Sequence, residues 1–137
     1  MSTAQDSIGV VVLEPNAQLL HKLCNAAQKV WGKYEVLPRQ TGKELKLAAD
    51  NLQVGLLVVR ASIQRSSALI QQIVSDLYAE GTQVLVIQDT PFKLSESGST
   101  SLAGLHFLSD RASDQQFADV LALTLVRHCM PGLNKLV

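Results

Sequence analysis

A chain of 137 residues, 47% hydrophobic, with twelve basic residues set against twelve acidic ones, fits a single domain over residues 1–137 with no interdomain linker. A domain of that size buries roughly two-thirds of its unfolded surface and needs neither disulfide nor metal to fold. The balanced charge removes any electrostatic case for nucleic acid or an anionic membrane. No apolar run reaches the roughly 20 residues that span a bilayer, and the polar start MSTAQDS carries no apolar targeting segment, so the expectation is a cytoplasmic protein.

Residues 8–13 are apolar on both faces and rich in β-branching, the pattern of a strand buried on both sides in a parallel sheet. Glu14-Pro15-Asn16 breaks the strand, and Asn16 offers an N-cap for a helix over 17–30. Leu19, Leu20, Leu23, Ala27 and Val30 share one face of that helix, and Gly32 suits the left-handed residue beyond its end. Trp31 and Tyr34 bracket the turn and read as core-edge residues. A short second strand spans 34–37 with the alternation of an edge strand. Thr41 with Glu44 three residues on forms a capping box for a helix whose apolar face is Leu45, Ala48, Ala49 and Leu52.

The run 54–59 is a buried central strand, ended by Arg60. A long helix within 66–80 turns Leu69, Ile70, Ile73, Val74 and Leu77 inward and stops at Gly81. Residues 84–87 make a fourth strand. From Thr90 to Gly104 serine, glycine and proline give the composition of a loop with at most a short helix. Residues 105–108 form a weak fifth strand. A last helix, 117–130, has Phe117, Val120, Leu121, Leu125 and Cys129 or Val126 as its stripe, and Pro131-Gly132 stops it. Five strands alternating with four or five helices specify an α/β fold: a five-stranded parallel sheet, doubly wound and flavodoxin-like, in three α/β/α layers. The core covers residues 7–130, and the tail 131–137 is a frayed end or leads toward a further domain.

In an open α/β sheet, chemistry sits at the carboxyl ends of the strands, which makes Arg60 the residue on which function turns. It is permanently charged and is no nucleophile. Segment by segment the chain resembles response-regulator receiver domains. The resemblance rests on the opening strand and turn from Val10 to Asn16, on Tyr34-Glu35-Val36-Leu37 followed by Thr41-Gly42-Lys43-Glu44-Leu45, on the entry Gly81 to Ile87, and on Ala103 to Leu108.

That family's chemistry needs two acids after the first strand to hold magnesium, an Asp after the third to accept the phosphoryl group, a hydroxyl after the fourth and a Lys after the fifth. Carried over by the resemblance, Glu14 matches the first acid and Pro15, which has no metal-binding group, stands at the second. Arg60 occupies the acceptor position, Gln88 the hydroxyl position and Asp110 the Lys position; Thr90 could replace the hydroxyl only with a shifted loop. One match in five implies a pseudo-receiver with the fold kept and the phosphorylation chemistry lost: no catalytic residue, no metal and no cofactor. What remains is a bacterial signalling or assembly domain of two-component or phosphorelay type, acting through protein contacts. Two other readings stay open: an atypical phosphoreceiver using another acid such as Asp89, and a small nucleotide- or flavin-binding α/β protein.

Arg60 is expected to pair through fork hydrogen bonds with Glu14 or Asp110, with Asp89 at the same edge of the sheet. A single Arg without a phosphate-binding loop is a poor anion site. His21, His106 and His128 have no metal-ligand spacing. Cys24 lies mid-helix without an activating base, and Cys24 and Cys129 read as reduced, buried thiols. Receiver domains commonly meet partners through the fourth helix, fifth strand and fifth helix. Here Leu123 and Val126 extend past the core-facing stripe of the last helix, so a protein partner or homodimer is expected through that helix and the fifth strand.

Overall fold

The computed structural model describes residues 8–89, 99–102 (backbone only) and 104–130. The apolar runs emerge as strands β1 (Ile8–Leu13), β2 (Glu35–Arg39), β3 (Gln53–Arg60), β4 (Gln83–Gln88) and β6 (Leu105–Ser109). These five are mutually parallel and ordered β2-β1-β3-β4-β6. The helices are α1 (Ala17–Val30), α2 (Gly42–Asn51), a short α3 (Ala61–Arg65), α4 (Ala68–Ala79) and α5 (Asp114–Cys129).

Alternation along each strand sorts the core into two layers. Val11, Leu13, Leu57, Val59, Val84 and Val86 pack under α2 and α4, whose Leu45, Ile70, Ile73, Val74 and Leu77 are buried. Val10, Val12, Leu56, Val58 and Leu85 pack under α1 and α5 through Leu20, Leu23, Ala27, Val120 and Leu121. Each such buried aliphatic side chain contributes about 1.5–3 kcal/mol. Helices on both faces explain why β1, β3 and β4 read as continuous apolar runs.

The local signals act as their chemistry requires. The Asn16 side chain accepts the Leu19 N–H at 3.0 Å, and the Thr41–Glu44 capping box forms in both directions. Gly81 takes φ +98° after α4, a conformation that favours glycine. Gly32 is not left-handed: α1 ends on Trp31, whose N–H bonds the Ala27 carbonyl at 2.7 Å.

Several expectations are corrected. Residues 99–102, read as loop, form β5 (Ser99–Leu102), antiparallel to β6, so the fifth parallel strand is not the edge of the sheet. Hydroxylated residues in a serine-rich stretch hid a strand whose ladder needs only backbone groups. Trp31 is fully buried, because its indole N–H finds Thr124 Oγ1 at 3.1 Å and the Leu121 carbonyl at 3.3 Å in α5. A Cβ on Gly55 would meet that indole ring at 3.1 Å, so the glycine in the central strand makes room for it. Leu69 lies to the side of the α4 contact face and is exposed. Cys24 is half-buried and Cys129, the last residue of α5, is exposed. The polar start, Thr90, the serine-rich stretch as far as Gly98, and the tail 131–137 lie outside the described residues.

Candidate functional site: an ion cluster at the carboxyl edge

Three strand ends converge on Arg60. β3 lies between β1 and β4, with Leu13 level with Val59 and Arg60 level with Ile87. Glu14, one residue past β1, and Asp89, one residue past β4, therefore flank the guanidinium from either side. Arg60 Nε donates to Glu14 Oε1, and Nη2 donates to Glu14 Oε2 at 2.7 Å. This is a two-pronged contact that fixes orientation as well as charge. Nη1 donates to Asp89 Oδ2 at 2.9 Å.

The acids are held in turn. Glu14, fully buried, also accepts the Asn16 N–H at 2.8 Å. Asp89 Oδ1 accepts the Ser62 N–H at 2.9 Å, and the Ser62 hydroxyl donates to Asp89 Oδ2.

The electrostatics follow this geometry. The hydrogen bonds from Arg60 to Glu14, opposed by partial burial and aided by the charges of both acids, raise the Arg60 pKa above its ordinary value. Burial alone would raise Asp89, but the two Ser62 hydrogen bonds and the Arg60 charge outweigh it and hold the carboxyl below its ordinary range.

The structure places the remaining sequence-derived positions apart from this cluster. Pro15 is exposed, and its carbonyl accepts Gln40 Nε2 at 3.2 Å. Gln88 is buried and by alternation shares the face of Val84 and Val86, opposite to Arg60. Its Oε1 has no hydrogen-bond partner among the described residues. Of the two partners expected for Arg60, Glu14 is the one engaged, and Asp110 makes no ion pair with it. It follows β6, two strands from β3, and strand spacing of about 4.8 Å puts it roughly 10 Å away. It is exposed, with its N–H bonded to the Gln88 carbonyl at 3.1 Å.

Ser62 was missing from the sequence reading. Parallel register supplies the signal: with Arg60 level with Ile87, the residue two beyond Arg60 comes level with Asp89. Among the described residues no group of three or more His, Cys, Asp or Glu could hold a metal ion.

Solved structures share this frame. A response-regulator receiver domain protein (CheY-like) from Methanospirillum hungatei JF-1 matches with a TM-score of 0.61 at 10% identity, over 89% of this chain and 95% of that one. The PhyR response regulator REC domain of Erythrobacter litoralis gives 0.65 at 14% identity, over 88% and 91%. The N-terminal domain of an uncharacterized protein from Wolinella succinogenes gives 0.57 at 15% identity, over 92% and 98%. The fold is that of a receiver domain. No protein-family model matches the chain, and no curated protein matches it. At such identities the likeness reaches the receiver fold and leaves the chemistry of the site to this chain's own residues.

On the receiver frame, the outer face of α5 carries Leu123 and Val126, exposed at 36% and 46%, and Met130, just past the helix end, is exposed at 55%. The three-residue spacing of Leu123 and Val126 puts them on one helical face. No helix among the described residues is long and apolar enough to cross a membrane.

Proposed function

We propose that this chain is a non-catalytic, receiver-like domain, a pseudo-receiver, that works in the cytoplasm through protein contacts within a bacterial two-component or related regulatory or assembly system. One observation carries the reading: a guanidinium, engaged by Glu14 and Asp89, fills the carboxyl end of the central strand. A cation there can neither attack phosphorus nor change its charge in the physiological range. Both Glu14 oxygens, the group the resemblance assigns to magnesium, are turned to Arg60. An attack by Asp89 would have to begin from a carboxylate whose two oxygens already accept hydrogen bonds from Arg60 and Ser62.

Incubation with acetyl phosphate and magnesium, followed by intact-mass measurement, tests the reading. The expected spectrum is unchanged, and a stoichiometric phosphoryl increment overturns it.

The contact face we assign is the α5 stripe, whose apolar side chains lie outside the core, as docking faces do. The expected outcome in sedimentation is self-association of the wild type at high concentration and a monomeric Leu123→Glu variant. A monomeric wild type, or a variant of unchanged mass, removes α5 as a self-association face.

A further inference from the structure

A cleft of about 660 Å³ opens between α1 and the first turns of α5, directly outside the ion cluster. Its volume falls within the roughly 300–1,000 Å³ of small-molecule sites. Leu23, Ile87 and Leu108 are its buried floor, and Leu19, Ala26 and Phe117 are half-buried walls. Apolar wall surface of this kind gains from being covered.

The inner end of the cleft is polar, formed by Arg60, Asp89, Ser109 and Asp110. Its charge is not neutral. The Arg60 guanidinium is shared by Glu14 and Asp89, one formal positive charge against two negative ones. Asp110 adds a third carboxylate and has no ion pair among the described residues. At the mouth, Lys22 and Asp114 face each other at 3.9 Å and offset one another. Lys29 lies far from this end, in the last turn of α1. Among the described residues the inner end therefore offers carboxylate acceptors and no uncompensated cation, which disfavours a phosphate or carboxylate ligand.

We propose that this cleft binds an organic cation with an apolar body, an amine whose ammonium group is received by Asp110 beside Asp89 while its hydrocarbon or ring covers Leu19, Ala26 and Phe117. Such a ligand removes apolar surface from water and supplies the positive charge that the inner end lacks. Binding there would feed directly into the Arg60 cluster, adding a chemical input to a domain without phosphorylation. The inference goes beyond the partner-binding reading and stands or falls separately from it.

Nitrogen-15 NMR titrations of the whole chain with three probes sharing one body test the proposal: phenethylamine, 2-phenylethanol and phenylacetate. Saturable shifts are expected for phenethylamine at Leu23, Ala26, Ser109 and Asp110, with phenylacetate binding weakest. Asp110→Asn, at an exposed position that leaves the core untouched, should weaken phenethylamine by about five-fold, the upper range for a partly exposed charge pair. Ala26→Leu should fill the cleft and weaken all three probes. The proposal is overturned if none of the three saturates, if phenylacetate binds as tightly as phenethylamine, if the shifts lie away from the cleft, or if Asp110→Asn leaves the affinity unchanged.

Discussion

At the carboxyl edge of the sheet a guanidinium and two carboxylates are locked together by five hydrogen bonds, counting the two from Ser62. Nearer the amino edge of the same face, His106 Nε2 and Gln83 Oε1 meet at 2.9 Å, both residues buried, and Trp31 reaches Thr124. Both regions put polar groups beneath α1 and α5, but only the first keeps charge.

The difference lies in the backbone. Past the strand ends, N–H groups such as those of Asn16 and Ser62 are released from the ladder and donate to Glu14 and Asp89. His106, inside β6, has no such compensation for a charge: burial, with a smaller push from the Arg127 charge, lowers its pKa to about 4, so the buried imidazole stays neutral.

The largest expected effect breaks the charged region. Arg60→Met leaves the fully buried Glu14 carboxylate without its guanidinium, and removing one partner of a buried pair costs about 3–4 kcal/mol, read from the urea midpoint. Arg60→Lys should recover only part, because an ammonium has no fork. A loss below about 1 kcal/mol for Arg60→Met would reduce the cluster to an ordinary surface ion pair.

The neutral region is probed by pH. Its lowered histidine value means the folded state prefers the neutral ring, so the stabilisation is complete above the unfolded value near 6.5 and is lost as pH falls toward about 4. The loss is roughly 3 kcal/mol at 1.36 kcal/mol per pH unit. Midpoints across that window should follow this slope in the wild type and flatten in His106→Leu; equal slopes in the two proteins would transfer the effect to another group. Asp89 answers in a different window. Its carboxyl is lowered, so its contribution is present above about pH 3.9 and disappears as acid protonates it.

Smaller changes sharpen the contrast. Asp89→Asn keeps the shape but replaces an acceptor of Arg60 and Ser62, at about 1–2 kcal/mol. A double-mutant cycle with Arg60→Met should show coupling, since the two residues share a hydrogen bond. Thr124→Val removes the hydroxyl nearest the Trp31 indole while leaving the Leu121 carbonyl at 3.3 Å, for about 1 kcal/mol. An unchanged midpoint would mean that carbonyl alone satisfies the indole.

Legibility followed distance along the chain. The Asn16 and Thr41 caps act within three residues, so the sequence displays both partners at once. The apolar runs of β1, β3 and β4 needed no partner to be seen. Ser62 and Asp89, 27 residues apart, meet only through the register of two parallel strands. Trp31 and Thr124 are 93 residues apart, and their hydrogen bond is what carries an indole into the core. The strand at 99–102 has no apolar run to announce it, because pairing on β6 draws on its backbone.

Composition and periodicity by themselves determined a parallel α/β sheet with helices on both faces, and they put a fixed positive charge at the end of its central strand. Strand order decided the rest. With β3 seated between β1 and β4, hydrogen-bond reach selects Glu14 and Asp89 as the partners of Arg60 and leaves Asp110 two strands away. The carboxylate that sequence alone could offer equally to Arg60 is thereby left exposed at the inner end of the α1–α5 cleft.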